Sequence, residues 1–234
     1  MEIQQQRSTL IVLVQFNQIP LSKFINPENL RSFNARYKFA SIEPVQDPAT
    51  GNFPAINLIT GLYNTKEAYE IAISRLGVEE RKIVIHMDGP SEHAHNFFNE
   101  LRTFLAGLAG VDDKDYLSPI ILTEESEIIS QLNFPIQKLI APKLQDFAFN
   151  SIVEMANLEV ADASIGSISV EFKIDYLPKD NLLNERRITL ARKDLVLQLA
   201  VGHRIEEQIY ASKAPFDTNT HIQILAELEK TINK

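Results

Sequence analysis

The chain has no cysteine, no tryptophan and only 8 glycines. Without cysteine there is no disulfide, no thiolate metal ligand and no cysteine nucleophile. Eight glycines are too few for a glycine-rich phosphate cradle on top of the turns any fold needs. The Gly-x-Gly-x-x-Gly and P-loop patterns are absent, as is the G-x-S-x-G elbow of serine hydrolases. No stretch approaches the roughly 20 apolar residues that span a bilayer. The first apolar run, Leu10 to Val14, is shorter than a signal-peptide core of roughly 7 to 15 residues. These absences lead to the expectation of a cytoplasmic protein without a membrane partner or cofactor. Basic residues are also in deficit, 23 against 31 acidic, and the net charge of −8 disfavours nucleic acid as a partner.

What is present suits a globular fold. The 234 residues are 44% hydrophobic and 23% charged. A chain of this length buries roughly 70% of its unfolded surface, so a core forms without staples.

The most informative feature is an internal similarity. The segment from Gln15 through Pro20, Lys23 and Ile25 to Pro27 matches Gln131 through Pro135, Lys138 and Ile140 to Pro142. With one residue deleted, both read Gln-apolar-Asn, then Pro-apolar-x-Lys-apolar-Ile-x-Pro. The offset is about 115 residues, near half the chain. A short apolar stretch precedes each match, and a helix-like segment follows each, Pro27 to Tyr37 and Pro142 to Ala156.

The patterns downstream also correspond. Strands are expected at Ile56 to Leu62, Tyr69 to Ile73 and Lys82 to His86, although Glu67 to Leu76 fits helix and strand periods almost equally. In the second half, Ile168, Val170, Phe172, Ile174 and Tyr176 alternate with Ser167, Ser169, Glu171, Lys173 and Asp175, the period of a half-buried strand. Strand-like patterns continue at Ile188 and Leu190, at Leu195 to Val201 and at Ile205 to Tyr210. Each half closes on an amphipathic helix. Phe97-Phe98-Asn99-Glu100-Leu101 in one resembles Ile224-Leu225-Ala226-Glu227-Leu228 in the other.

The expected fold is therefore α+β. It comprises two tandem pseudo-symmetric β-α-β(3-4)-α units, residues 1–112 and 119–234, with antiparallel sheets and helices on one face, alternatively fused as one pseudodimeric domain. In element order alone this resembles the duplicated saddle of TATA-binding proteins, whose DNA-binding role the acidic charge opposes. A tandem hot-dog pseudodimer is the alternative fold.

One cluster carries chemistry of interest. His86, Asp88, His93 and His95 fall within ten residues, and imidazole with carboxylate suits a divalent metal. The spacing is not the i, i+4 histidine pair of helical metal sites. A helix start explains the same residues: Asp88 or Ser91 as cap, Pro90 in the first turn, Glu92 at the positive end of the dipole. That plainer explanation is favoured. His203 and His221 stand alone.

The acidic pairs Asp112-Asp113 and Glu124-Glu125 are expected in solvated connections. Val111 to Ser126 is the natural junction between units. Arg186-Arg187 and Arg192-Lys193 are expected as charges on strand edges. Lys23 and Lys138 are expected to face water. Function is then expected to be non-catalytic binding or assembly with a protein partner, a homo-oligomer being compatible. The acidic balance would favour a basic partner by steering. The alternatives are a small-molecule-binding or metal-dependent hydrolytic enzyme using His86 to His95, and an immunity or antitoxin protein.

Overall fold

The computed structural model describes residues 1–49, 51, 53–65, 69–111, 116–146, 167–172, 175–176, 188–189 and 193–233. The chain opens with strand β1 (Glu2–Leu13), helix α1 (Leu21–Phe24) and helix α2 (Pro27–Tyr37). Strands β2 (Ser41–Val45), β3 (Ala55–Asn64), β4 (Glu70–Glu79) and β5 (Lys82–Asp88) lead to the long helix α3 (Ser91–Ala109). Strand β6 (Ile121–Gln131), a 3-10 turn (Ile136–Leu139) and α4 (Pro142–Asp146) follow. Then come β7 (Ser167–Phe172), β8 (Asp175–Tyr176), β9 (Ile188–Thr189), β10 (Lys193–Leu199), β11 (Ile209–Ala214) and the last helix, α5 (Thr218–Ile232).

Nine of these strands form one open antiparallel sheet in the order β2-β3-β4-β5-β1-β6-β11-β10-β7. β1 and β6 pair at its middle, with Ser8 directly opposite Ser126. From β1 the sheet continues through β5, β4 and β3; from β6 it continues through β11, β10 and β7. The fold is thus α+β with an antiparallel sheet.

Local sequence explains the helices. Asn26 caps α2 by accepting from the Glu28 amide at 3.0 Å, and Pro27 occupies the first turn, where a missing N–H costs nothing. Asp217 caps α5 from the Thr220 amide at 3.0 Å. Pro20 and Pro135 each stand immediately before a single helical turn, α1 and the Ile136–Leu139 turn respectively. Their fixed φ suits the entry to such a turn.

Alternation along β1 sends Ser8, Leu10 and Val12 inward and leaves Arg7, Thr9 and Ile11 on the other face. Leu10 and Val12 join a core with Ile83, Ile85, Phe33, Phe97 and Leu101. Aromatic rings pack together within this core; Phe33 and Phe104 lie 5.1 Å apart and Tyr37 and Phe97 5.1 Å apart. A second cluster joins Ile128, Phe134, Leu197, Tyr210 and Leu225. Both clusters lie on the same face of the sheet, under α3 and α5. Gly61 is needed on that face, because a Cβ there would sit 2.5 Å from the Phe39 ring.

Between the two clusters runs a polar line. The Ser91 amide donates to Thr218 Oγ1 at 3.0 Å, and the Thr218 amide donates to Ser91 Oγ at 2.9 Å. The first residues of α3 and α5 therefore cap each other. This corrects the expected cap: Pro90, not Asp88 or Ser91, holds the N-cap position of α3, and Ser91 acts across the midline.

Other details differ from the sequence pattern. Of the ambiguous stretch Glu67 to Leu76, Glu70 to Leu76 is strand, while Glu67 and Ala68 lie outside the described residues. Ile205–Glu207 is a 3-10 turn after the Gly202 turn, and strand begins only at Ile209, because Glu206 and Glu207 break the alternation. Glu124 and Glu125 lie inside β6, not in a connection. Lys23 and Lys138 are exposed, as expected, and Lys23 donates to the Leu108 carbonyl. Asp112, Asp113, Lys173, Ile174, Arg186, Arg187, Leu190, Arg192 and the expected helical residues from Phe147 to Ala156 lie outside the described residues.

The mutual cap makes a specific prediction. Ser91→Ala and Thr218→Ala each cost about 1–2 kcal/mol in urea unfolding, and the double variant costs clearly less than the sum. Strict additivity would show that the two helix starts are not coupled.

Candidate functional site on the uncovered sheet face

Among the described residues no helix packs on the face opposite α3 and α5, and that face carries the side chains that the core leaves out. Its central feature is a row of four charges across four adjacent strands. Lys213 of β11 stands opposite Glu127 of β6, Glu127 opposite Arg7 of β1, and Arg7 opposite Asp88 of β5. Signs alternate along the row. Arg7 Nε lies 3.2 Å from Asp88 Oδ1, and Lys213 Nζ lies 3.5 Å from Glu127 Oε1. The four side chains remain 44–55% exposed, so each is paired yet open to a ligand.

The adjoining row is Arg75, His86, Thr9 and Glu125, again on neighbouring strands. Arg75 donates to Asn57 Oδ1 at 2.8 Å, and Thr9 Oγ1 lies 2.9 Å from His86 Nδ1. Lys213 also reaches Glu125 at 3.5 Å. Burial lowers the His86 pKa, with the Arg75 charge adding to the effect. Beside the rows lies a groove of about 430 Å³, bounded by Gln5, Arg7, Ile129, Val196, Gln198 and Lys213. A larger depression of about 990 Å³ opens at the strand ends beside Pro20, Phe53 and Glu80, bordered by loops.

The four sequence candidates do not converge. His86 and Asp88 sit two residues apart on β5 and share the uncovered face. His93 lies in the first turn of α3, with Nε2 3.0 Å from the Tyr69 hydroxyl. His95 points into the midline on the opposite side of the sheet, where its Nε2 meets Glu124 Oε1. Among the described residues, no group of three His, Asp or Glu side chains is placed to hold a metal ion. Sequence reasoning missed Arg7, Glu127 and Lys213. The available signal was the alternation of Arg7, Thr9 and Ile11 with Ser8, Leu10 and Val12.

On the helix side, the midline holds two histidines that titrate in opposite senses. The Glu124 hydrogen bond raises the His95 pKa, and Asp217 adds to it. His221 is fully buried, with Nδ1 2.8 Å from Ser126 Oγ, and burial lowers its pKa to about 4. Among the described residues its Nε2 has no hydrogen-bond partner.

A scan against protein-family models finds no match, and a search of curated proteins finds no relative. No described helix is long and apolar enough to cross a membrane.

The histidines fix a pH prediction. His221 is folded in its neutral form, so its contribution is intact above the unfolded pKa of about 6.5 and falls as the pH drops towards about 4. At about 1.4 kcal/mol per pKa unit, the loss reaches about 3 kcal/mol by pH 4. His95 works the other way; its contribution is complete below about 6.5 and is lost as the pH rises through its raised pKa. Urea unfolding of His221→Asn across pH 4 to 7 should lack the acid-side loss, while His95→Gln should lack the decline at higher pH. An unchanged pH profile in both variants would contradict this assignment.

Proposed function

We propose that this chain is a non-catalytic binding or assembly protein, built from two copies of one ancestral unit, that engages a protein partner with the uncovered face of its sheet. The observation that carries this reading is the exposed row Lys213–Glu127–Arg7–Asp88 at the centre of that face. Its charged groups pair with each other along a broad surface instead of converging on one reacting atom. An interface uses such groups for register and discrimination.

Three correspondences support the duplication. Pro20 and Pro135 precede equivalent turns. Ser91 and Thr218 begin equivalent helices and cap each other. Phe98 and Leu225, aligned in the sequence similarity, are both buried in their own helices. In this reading the units are residues 1–112 and 119–234, sharing one sheet through β1 and β6, and the protein works in the cytoplasm.

The overall charge of −8 suggested a basic partner. The central row alternates in sign, so the complementary surface must alternate too.

The test compares two single charge reversals. Arg7→Glu changes the uncovered face; Arg31→Glu changes the exposed side of α2. Tagged bait carrying Arg7→Glu should recover at least tenfold less of the protein bound by the wild type, and Arg31→Glu should recover it fully. Equal recovery by both variants would overturn the assignment of this face.

A further inference from the structure

We infer that the partner of this face is a second copy of the chain, docked face to face about a two-fold axis at the β1–β6 midline. The inference rests on the binding role just proposed for the face and names its occupant.

The order of charges leads to it. Read across the strands, the row is Lys213 positive, Glu127 negative, Arg7 positive, Asp88 negative. A two-fold axis lying between Glu127 and Arg7 and parallel to the strands reverses this order in the second copy. Lys213 then faces Asp88 of the other copy, and Glu127 faces its Arg7. All four contacts across the interface join opposite signs. An even number of alternating charges centred on the axis is self-complementary, as an isologous interface requires. Alternation that began and ended on the same sign would instead place like charges opposite.

The neighbouring rows agree. Ile11 stands opposite Thr123 in the β1–β6 pair, so the same axis sets Ile11 of one copy over Thr123 of the other. Val84, beside Ile11, and Ile129, one row beyond the charges on the other side, are half-buried apolar side chains on this face. Their burial would supply the apolar component that surface ion pairs lack.

The face is large enough. Nine strands about 4.8 Å apart, each about eight residues long at about 3.3 Å per residue, span roughly 1,100 Å². A standard interface needs roughly 800 Å² per partner. Twisted sheets that stack face to face cross at about 30°, so register is kept best near the axis. The four charges occupy that central position.

The test is a charge swap read by sedimentation equilibrium. One variant carries Arg7→Glu and Lys213→Glu, making the row wholly acidic. The other carries Glu127→Lys and Asp88→Lys, making it wholly basic. The wild type should be a dimer whose dissociation constant rises with salt, since screening weakens exposed pairs. Each variant alone should dissociate at least tenfold more readily, and an equimolar mixture should reassociate as a one-to-one heterodimer. That rescue also shows that both variants fold. A monomeric wild type, or a dimer indifferent to both variants, would overturn the inference. If the wild type is monomeric and yet loses a different captured protein through Arg7→Glu, this inference fails and the binding role of the face stands.

Discussion

Ser8 and Ser126 face each other across the β1–β6 pair, and that register decides which side chains reach which side of the sheet. A strand has a side-chain period of two. A slip of one residue would move Leu10 and Val12 to solvent and carry Arg7 and Thr9 into the core. The apolar content of β1 and β6 therefore holds the register, and the register sets the charged row. Arg7 stands opposite Glu127 and pairs with Asp88 only because Leu10, Val12 and Ile128 are buried on the other face.

The same pairing explains why the interior is divided. Short polar side chains sit at the midline, and the larger apolar ones withdraw to either side into two clusters. The mutual cap of Ser91 and Thr218 and the His221–Ser126 contact close the gap between them. Buried polar contacts contribute modestly when satisfied and are costly when broken. A junction of this composition ties the halves through specific geometry more than through bulk burial. It also leaves them sensitive to the protonation of two buried or half-buried imidazoles.

Much of the fold was legible because period and turn chemistry are local. The Pro20 and Pro135 turns and the amphipathic pattern of α3 and α5 could be read from short windows; the alternation from Ser167 to Tyr176 placed a strand correctly but not its burial, since Val170 is exposed, β7 ends at Phe172 and Tyr176 belongs to the separate β8–β9 pair. What the windows could not supply was distance. Glu124 and Glu125 look like a solvated acidic pair, yet β6 places one against His95 and the other beside Lys213 on opposite faces. Ile205 to Tyr210 begins and ends apolar like a strand, but Glu206 and Glu207 break the alternation, and pairing starts only at Ile209. His86, Asp88, His93 and His95 look like one cluster because they are close in sequence. The turn between β5 and α3 separates them, leaving His86 and Asp88 on one side of the sheet and α3 on the other. The charged row was hidden for the converse reason: its four members come from segments far apart in the chain.

The midline register can be checked by chemistry that the absence of native cysteine makes clean. Directly opposed residues in an antiparallel pair have Cα atoms about 4.5–5.5 Å apart, within disulfide range. Under mild oxidation, Ser8→Cys with Ser126→Cys should cross-link within one chain, read by intact mass and peptide mapping, whereas Ser8→Cys with Thr123→Cys should stay reduced. A missing bond in the first pair, or an equal bond in the second, would contradict the β1–β6 register on which the account is built.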